Sequence, residues 1–365
     1  VSPPVRRRIA VILAAGRGTR MQSALPKVLH PAAGRPLLSW VLEAARGAGC
    51  ERIFIVVPPR SAGAEIREAL AAPDLKFVAQ RNPRGTGHAL LQAAEPVREA
   101  LADATGELAE ATLLVLSGDT PLLTADTLER LAAFLEGRPG METGDVERPA
   151  NPPWGVLAVA VLEDPGALGR VLTHVDGSLD RIVEASDASA DELAVRRINA
   201  GIYAFSAPGI FQDLTELAES DPDNAQGEIY LTDAPGRAAA RGERVLLFEL
   251  EDANEGLGVN TRVELARAHR RLMDRHLDQL MAAGVTVLEP ARTVIEPGVE
   301  VGRDTVIHPG VALLGRTRVG SGAVLHQGAW IRDAVLDDGA MVRPYTVLDG
   351  ETVVDGKTVV DGSGS

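Results

Sequence analysis

From residue 295 onward, apolar β-forming side chains return every six positions, at Ile295, Val301, Ile307, Leu313, Val319, Leu325 and Ile331. After a one-residue slip the rhythm resumes at Leu336, Val342, Leu348, Val354 and Val360, with glycines scattered between. A six-residue period is the signature of a parallel β-helix, because each short strand buries one apolar residue and three strands complete a turn. The twelve repeats therefore predict about four coils. A solenoid of this kind reads as a scaffold that stacks and oligomerises.

Ahead of the repeats, Thr261 to Ala283 carries an amphipathic pattern through Val263, Ala266, Leu272, Leu277, Leu280 and Met281 that stops at Gly284, which predicts a connecting helix. Further upstream, strand-like runs at Ile53–Val57, Thr112–Leu116, Gly155–Val161 and Ile198–Phe205 alternate with helical periodicities. Examples of the latter are Leu37, Val41, Ala44, Ala48 and Leu90, Ala94, Val97, Leu101. Such alternation predicts an α/β fold with a mostly parallel sheet, in which ligands lie beyond the carboxyl ends of the strands. The expected organisation is an α/β domain over 1–256, a connecting helix over 257–285 and a β-helix over 286–365. Residues 137–153, rich in Gly, Pro and charge, read as a loop insertion.

A formal charge of −14 argues against nucleic acid or an anionic membrane surface as a partner. No apolar stretch approaches the roughly 18–20 residues needed to span a bilayer. Cys50, the only cysteine, excludes an intramolecular disulfide or a thiolate zinc site, suits the cytoplasm, and itself reads as core.

Against this acidic background stands a basic, glycine-rich loop. The β-branched stretch Ile9–Ile12 runs into Leu-Ala-Ala-Gly-Arg-Gly-Thr-Arg-Met at 13–21, followed by Lys27. Gly16 and Gly18 let the backbone bring N–H groups close to an anion, and Arg20 and Lys27 add positive charge. Only Lys27, Lys76 and Lys357 among the 37 basic residues are lysine, so a lysine here is notable. Its compact ammonium suits tracking a phosphoryl oxygen. The pattern is neither GxxxxGK[ST] nor GxGxxG, which would need glycine where Met21 stands.

Three further constellations could carry chemistry. Asp119, in Leu-Ser-Gly-Asp-Thr-Pro at 116–121, ends a buried strand and suits magnesium, which takes few protein oxygens and leans on substrate phosphates. The alternative is a cap for the helix that starts near Thr124. Asn260, in Gly-Leu-Gly-Val-Asn-Thr at 256–261, offers an amide oxygen to the same metal or caps the following helix. Gln80 and Gly85-Thr86-Gly87-His88 precede a helical run whose start can hold a base edge or a phosphate, with His88 read as structural.

These motifs resemble those of the sugar-nucleotide pyrophosphorylases, and most closely the bacterial N-acetylglucosamine-1-phosphate uridyltransferases, the first half of a bifunctional enzyme. The resemblance spans nearly the whole chain and extends to Leu-Pro-Lys-Val-Leu-His at 25–30, Gly-Thr-Gly-His-Ala at 85–89, Gly-Asp-Thr-Pro-Leu at 118–122 and Gly169-Arg170. It continues through Ile-Val-Glu at 182–184, Ile-Asn-Ala-Gly-Ile at 198–202, Asn-Ala-Gln-Gly-Glu at 224–228 and Gly-Val-Asn-Thr-Arg at 258–262. The fold it implies is a Rossmann-like, glycosyltransferase-A-like mixed sheet followed by a left-handed parallel β-helix of hexapeptide repeats.

The resemblance also implies roles. Leu13, Ala14, Ala15, Gly16, Gln80, Gly85 and Thr86 would hold uridine and its phosphates, completed by Ser117 and Gly118. Gly169, Glu184 and Asn199 would hold N-acetylglucosamine, and Asp119 and Asn260 would bind Mg2+. The reaction implied is UMP transfer from UTP to N-acetylglucosamine 1-phosphate, with Arg20, Lys27 and Asp119 as the catalytic groups and UDP-N-acetylglucosamine, a peptidoglycan precursor, as product. A cytoplasmic homotrimer built through the β-helix is expected.

The sequence departs from this family at three places. Ser117 stands where close relatives have tyrosine, while Ser186 stands where they have lysine and the 137–153 insertion lengthens a neighbouring loop, which keeps another sugar 1-phosphate or nucleotide as the alternative. The acetyl-transferring half of the family uses later coils with a histidine, a following tyrosine and an Asn-Tyr-Asp-Gly loop, none of which occurs here. His308 and His326 sit in early repeats. Uridyl transfer without acetyl transfer is therefore expected, from a short enzyme or a fragment of a longer one.

Overall fold

Ile9, Ala10, Val11 and Ile12 are fully buried because their strand is covered on both faces. In β1 (Arg7–Leu13), Ala10 and Ile12 pack into one apolar cluster and Ile9 and Val11 into another, so the two sheet faces share an unbroken apolar run. The computed structural model describes residues 6–16, 18–102, 110–137, 153–207, 209–220, 224–350, 352–355 and 359–360. Most of the 137–153 segment read as an insertion lies outside them.

The chain divides into one unit of Val1–His30 with Pro36–Thr261 and another of Pro31–Arg35 with Arg262–Ser365. Strands after β1 are β2 (Pro31–Ala32), β3 (Arg35–Pro36), β4 (Arg52–Val57), β5 (Leu75–Ala79) and β6 (Ala111–Ser117). They continue with β7 (Gly155–Val161), β8 (Arg170–Thr173), β9 (Leu179–Val183), β10 (Arg197–Ala207) and β11 (Val245–Glu249). The helices of the first unit are α1 (Leu37–Gly47), α2 (Arg60–Leu70), α3 (Thr86–Leu91), α4 (Ala94–Leu101), α5 (Ala125–Glu136), α6 (Ala190–Leu193), α7 (Gly209–Glu219) and α8 (Asp233–Ala240).

The first unit's sheet has the order β11-β7-β10-β6-β1-β4-β5, with β8 pairing to β10 and β9 to β8. β6, β1, β4 and β5 are mutually parallel, whereas β10 runs antiparallel to both β6 and β7, so the sheet is mixed. Ser117 pairs with Leu13, which brings the ends of the two central strands together at one edge. The pattern Leu90, Ala94, Val97, Leu101 forms two helices, not one. Pro96 supplies no N–H and its ring would collide with the carbonyl of Gln92, so the helix stops at Leu91 and restarts at Ala94. Cys50 packs against the core, where burial pushes its thiol up to about 12.

In the second unit, α9 (Arg262–Ala282) precedes three parallel ladders of five, four and four short strands. Val294 pairs with Ala312 and Val306 with Val324, so a coil closes every eighteen residues. Arg318 pairs with Val335, seventeen residues on, and this short coil absorbs the slip between Ile331 and Leu336. Asp333 adopts φ 51 at that corner and its Oδ1 accepts from the Arg316 N–H at 2.8 Å. The repeat residues are buried except Val301, which is half-buried, and Val360, whose side chain lies outside the described residues. One strand escaped the repeat count: Thr286–Val287 pairs with Val306–Ile307, twenty residues on, with a turn at Pro290–Arg292 inside this longer coil. No helix among the described residues is long and apolar enough to cross a membrane.

Candidate active site

After β1 the chain turns at the sheet edge with Ala14 and Ala15 buried and Gly16 exposed. The Ala14 N–H donates to the Val56 carbonyl at 2.8 Å, and nothing lies within 4 Å of where a Cβ on Gly16 would stand, so this backbone faces open space. Gly18 takes φ 59, and a Cβ there would stand 2.6 Å from the Cβ of Lys27. Glycine is what lets the lysine stem pass. Lys27 itself opens a single 3₁₀ turn after Pro26, held down by buried Val28 and Leu29.

The Lys27 ammonium makes an ion pair with Asp119 and donates to Asn260 Oδ1 at 3.0 Å. The lysine and aspartate side chains are only 13% and 15% exposed, so solvent screens the pair weakly. Asp119 follows β6 directly, and three contacts position it. The Gly118 N–H donates to the Leu13 carbonyl at 2.9 Å, and the Val259 N–H donates to the Asp119 carbonyl at 2.8 Å. A Cβ on Gly258 would stand 3.3 Å from each carboxylate oxygen, so the 256–261 segment closes against the aspartate. Asn260 Nδ2 donates to the Gly258 carbonyl at 3.3 Å, leaving Oδ1 turned to Lys27. The cap of α5 is Thr124, whose hydroxyl accepts from the Thr127 N–H at 3.2 Å, so Asp119 does not serve as that cap. Arg20 stands apart: it is exposed on the turn Thr19–Met21 and makes no hydrogen bond or ion pair among the described residues.

Gln80, Gly85 and Thr86 come together at the end of β5. Gln80 is buried, and its Nε2 donates to the Gly85 carbonyl at 3.2 Å and lies 3.1 Å from His88 Nδ1. Burial holds the His88 pKa below its ordinary value, in keeping with a structural imidazole. Gly85, at φ 96, leaves no room for a Cβ, which would stand 2.5 Å from the Ile229 carbonyl. The Thr86 hydroxyl accepts from the Leu231 N–H at 3.0 Å, which anchors it within the fold.

Gly169, Glu184 and Asn199 also converge. The Asn199 N–H donates to the Gly169 carbonyl at 2.9 Å, and a Cβ on Gly169 would stand 3.3 Å from Glu184 Oε2. A register shift in β10 between Asn199 and Tyr203 frees the asparagine side chain, whose Nδ2 donates to Tyr203 OH at 2.6 Å. Ser117 links the two sides of the site, since a Cβ on Gly201 would stand 3.3 Å from its Oγ. Burial raises the Glu184 pKa, opposed by the hydrogen bond that the Thr232 hydroxyl donates to Oε1 at 3.0 Å.

Sequence reasoning missed Tyr203, Thr232 and Asp233. Tyr203 orients Asn199 only through the strand irregularity, for which four-residue spacing gives no signal. Thr232 and Asp233 reach Glu184 from a distant segment. Asp233 lines a cavity of about 320 Å³ with Glu184, Asp187, Asn224, Tyr230 and Arg237, and burial pushes its carboxyl up to about 6. Among the described residues no group of three or more His, Cys, Asp or Glu side chains could hold a metal ion. The oxygen pair of Asp119 and Asn260 already holds a cation, the Lys27 ammonium, and its hard oxygens fit a divalent ion that completes its shell with water and phosphate.

Residues 10–201 match the family described as MobA-like NTP transferase domain. The protein named Bifunctional protein GlmU from Syntrophotalea carbinolica is 44% identical over 342 residues, covering 93% of this chain and 68% of that protein. Its namesake from Pelobacter propionicus is 41% identical over 341 residues, covering 93% and 68%. The solved structure of a UDP-glucose pyrophosphorylase complexed with UDP-glucose has a TM-score of 0.54 at 19% identity, covering 74% of this chain and 99% of that one. It supports the Rossmann-like fold of the first unit.

Proposed function

Since the chain belongs to the GlmU family of nucleotidyltransferases, we propose that it transfers UMP from UTP to N-acetyl-α-D-glucosamine 1-phosphate, giving UDP-N-acetylglucosamine and pyrophosphate. The observation that carries this proposal is the meeting of Lys27, Asp119 and Asn260 at the edge where β1 and β6 end. A phosphate oxygen of the sugar attacks the α-phosphorus of UTP, and negative charge grows on the bridging and leaving oxygens as pyrophosphate departs. The turn that Leu13, Ala14 and Ala15 lead into presents the exposed backbone of Gly16 to the triphosphate. Lys27 and Arg20 bring positive charge to it, Arg20 from an exposed turn. Gln80, Gly85 and Thr86 border the base, with Ser117 and Gly118 beside the nucleotide. Gly169, Glu184 and Asn199 face the sugar, where the Asn199 amide is fixed by Tyr203.

Asp119 and Asn260 would hold Mg2+, whose chemistry when bound is to neutralise phosphate charge as it develops. Losing one such cationic contact costs on the order of a hundredfold in rate. The test is pyrophosphate release from UTP and N-acetylglucosamine 1-phosphate, with and without magnesium, beside a panel of other nucleotides and sugar phosphates. Release that needs UTP, the N-acetylated sugar and magnesium supports the proposal. Equal release with other sugars or bases would overturn the substrate assignment. We also propose a cytoplasmic homotrimer assembled through the β-helix, supported by the apolar side chains its outer faces expose at Val335, Met341 and Val347 and checked by light scattering.

A further inference from the structure

Lys27 is assigned above to the triphosphate, yet its ammonium lies on Asp119 and Asn260 Oδ1, the oxygens assigned to the divalent ion. An ammonium and a divalent ion held on one carboxylate and one amide oxygen repel each other strongly at contact distance, so the ion's arrival drives the lysine off. A shielded carboxylate stripped of its counter-charge is costly, so the lysine stays until another cation replaces it. The exchange needs little motion. Gly18 pins the lysine stem at Cβ, while the bonds beyond it rotate, so the ammonium can leave without any movement of the backbone.

We propose that Lys27 is the resident counter-cation of this oxygen pair, displaced by the divalent ion and thereby released to the nucleotide phosphates, so that metal entry and lysine delivery are one exchange. The proposal rests on the transferase function above and deepens it. A lysine that occupies the oxygens about nine-tenths of the time weakens metal affinity about tenfold.

The chain's three lysines make the exchange directly observable. In protein carrying 13C,15N-lysine, the side-chain resonance of Lys27 is assigned by loss in Lys27→Met, and Mg2+ is added without nucleotide. Lys27 should shift as metal saturates the site, while exposed Lys76 stays put. A Lys27 resonance unmoved at saturation would overturn the exchange.

Independently, Mn2+ affinity of the nucleotide-free protein is measured by electron paramagnetic resonance. Lys27→Met keeps the stem against Gly18 and removes the charge, and should tighten Mn2+ about tenfold. Arg20→Met, which removes a charge that does not touch the oxygens, should change it less than about twofold. Equal or weaker Mn2+ binding by Lys27→Met, an equal gain in Arg20→Met, or undiminished binding by Asp119→Asn would each contradict the proposal. None of these readouts needs turnover. Failure of the wild-type protein to release pyrophosphate would instead sink the transferase function and leave the binding result standing.

Discussion

The two units of this chain reach their structures by opposite routes. In the β-helix, what surrounds a residue is set by partners about eighteen positions away, repeated coil after coil, so each buried side chain does the same job as the next. In the nucleotidyltransferase unit, the contact proposed as the site joins Lys27 to Asp119 and Asn260, separated by 92 and 233 positions. A periodic structure distributes its stability over equivalent rungs. A converged site instead draws its charged and polar groups from distant parts of the chain.

This contrast is breakable at several points. The largest effect expected is on catalysis: Asp119→Asn should lower the rate of pyrophosphate release on the order of a thousandfold or more, with an unchanged circular dichroism spectrum. A mild loss would mean that the site is as redundant as the solenoid. Next, Leu325→Ala removes a fully buried rung and should cost about 2–5 kcal/mol in denaturant unfolding of the β-helix. Val353→Ala, 71% exposed on a neighbouring ladder, should stay within about 0.5 kcal/mol. Equal costs would show that inward and outward rung positions do not differ as the register says.

A smaller effect is expected at Gly18. Gly18→Ala forces a side chain into a left-handed backbone and against the Lys27 stem, and should destabilise by about 1–2 kcal/mol. Activity should fall with it, since the same contact aims the ammonium. The smallest is a pH effect at Asp233. Burial raises its carboxyl to about 6 from an ordinary 3.8, so the folded protein holds a proton that the unfolded chain has released. Its contribution to stability is present below the lower value and lost as pH rises toward 7. Asp233→Asn should remove that part of the decline between pH 4 and 7 in urea titrations; an unaltered slope would contradict the burial assigned here.

How much of this was readable beforehand follows from the same contrast. The β-helix was legible because one period announces buried positions directly, and even the slip after Ile331 survives as a seventeen-residue coil. Thr286–Val287 was hidden because Val287 precedes Ile295 by eight residues, outside the rhythm. In the first unit β1, β4, β6, β7 and β10 were plain from their apolar runs, whereas β5, β8, β9 and β11 were not named, and Lys27, Asp119 and Asn260 stood out by residue type, the last two near glycines. What sequence could not display was pairing at a distance. The antiparallel β10, the strand irregularity that presents Asn199 to Tyr203, and the Thr232 hydroxyl on Glu184 all depend on segments that meet only in the folded chain. The periodicity through Leu90, Ala94, Val97 and Leu101 carries no sign of the break at Gln92–Ala93, which Pro96 explains.

The central claim is that Asp119 and Asn260 together receive a divalent cation beside the nucleotide. An anomalous difference map from crystals soaked with Mn2+ and UTP tests it most directly. The map should show a single strong peak within coordinating distance of both oxygens, with Lys27 withdrawn from them and turned to the phosphates. A peak bound elsewhere, or Lys27 still seated on Asp119 in the nucleotide complex, would contradict it.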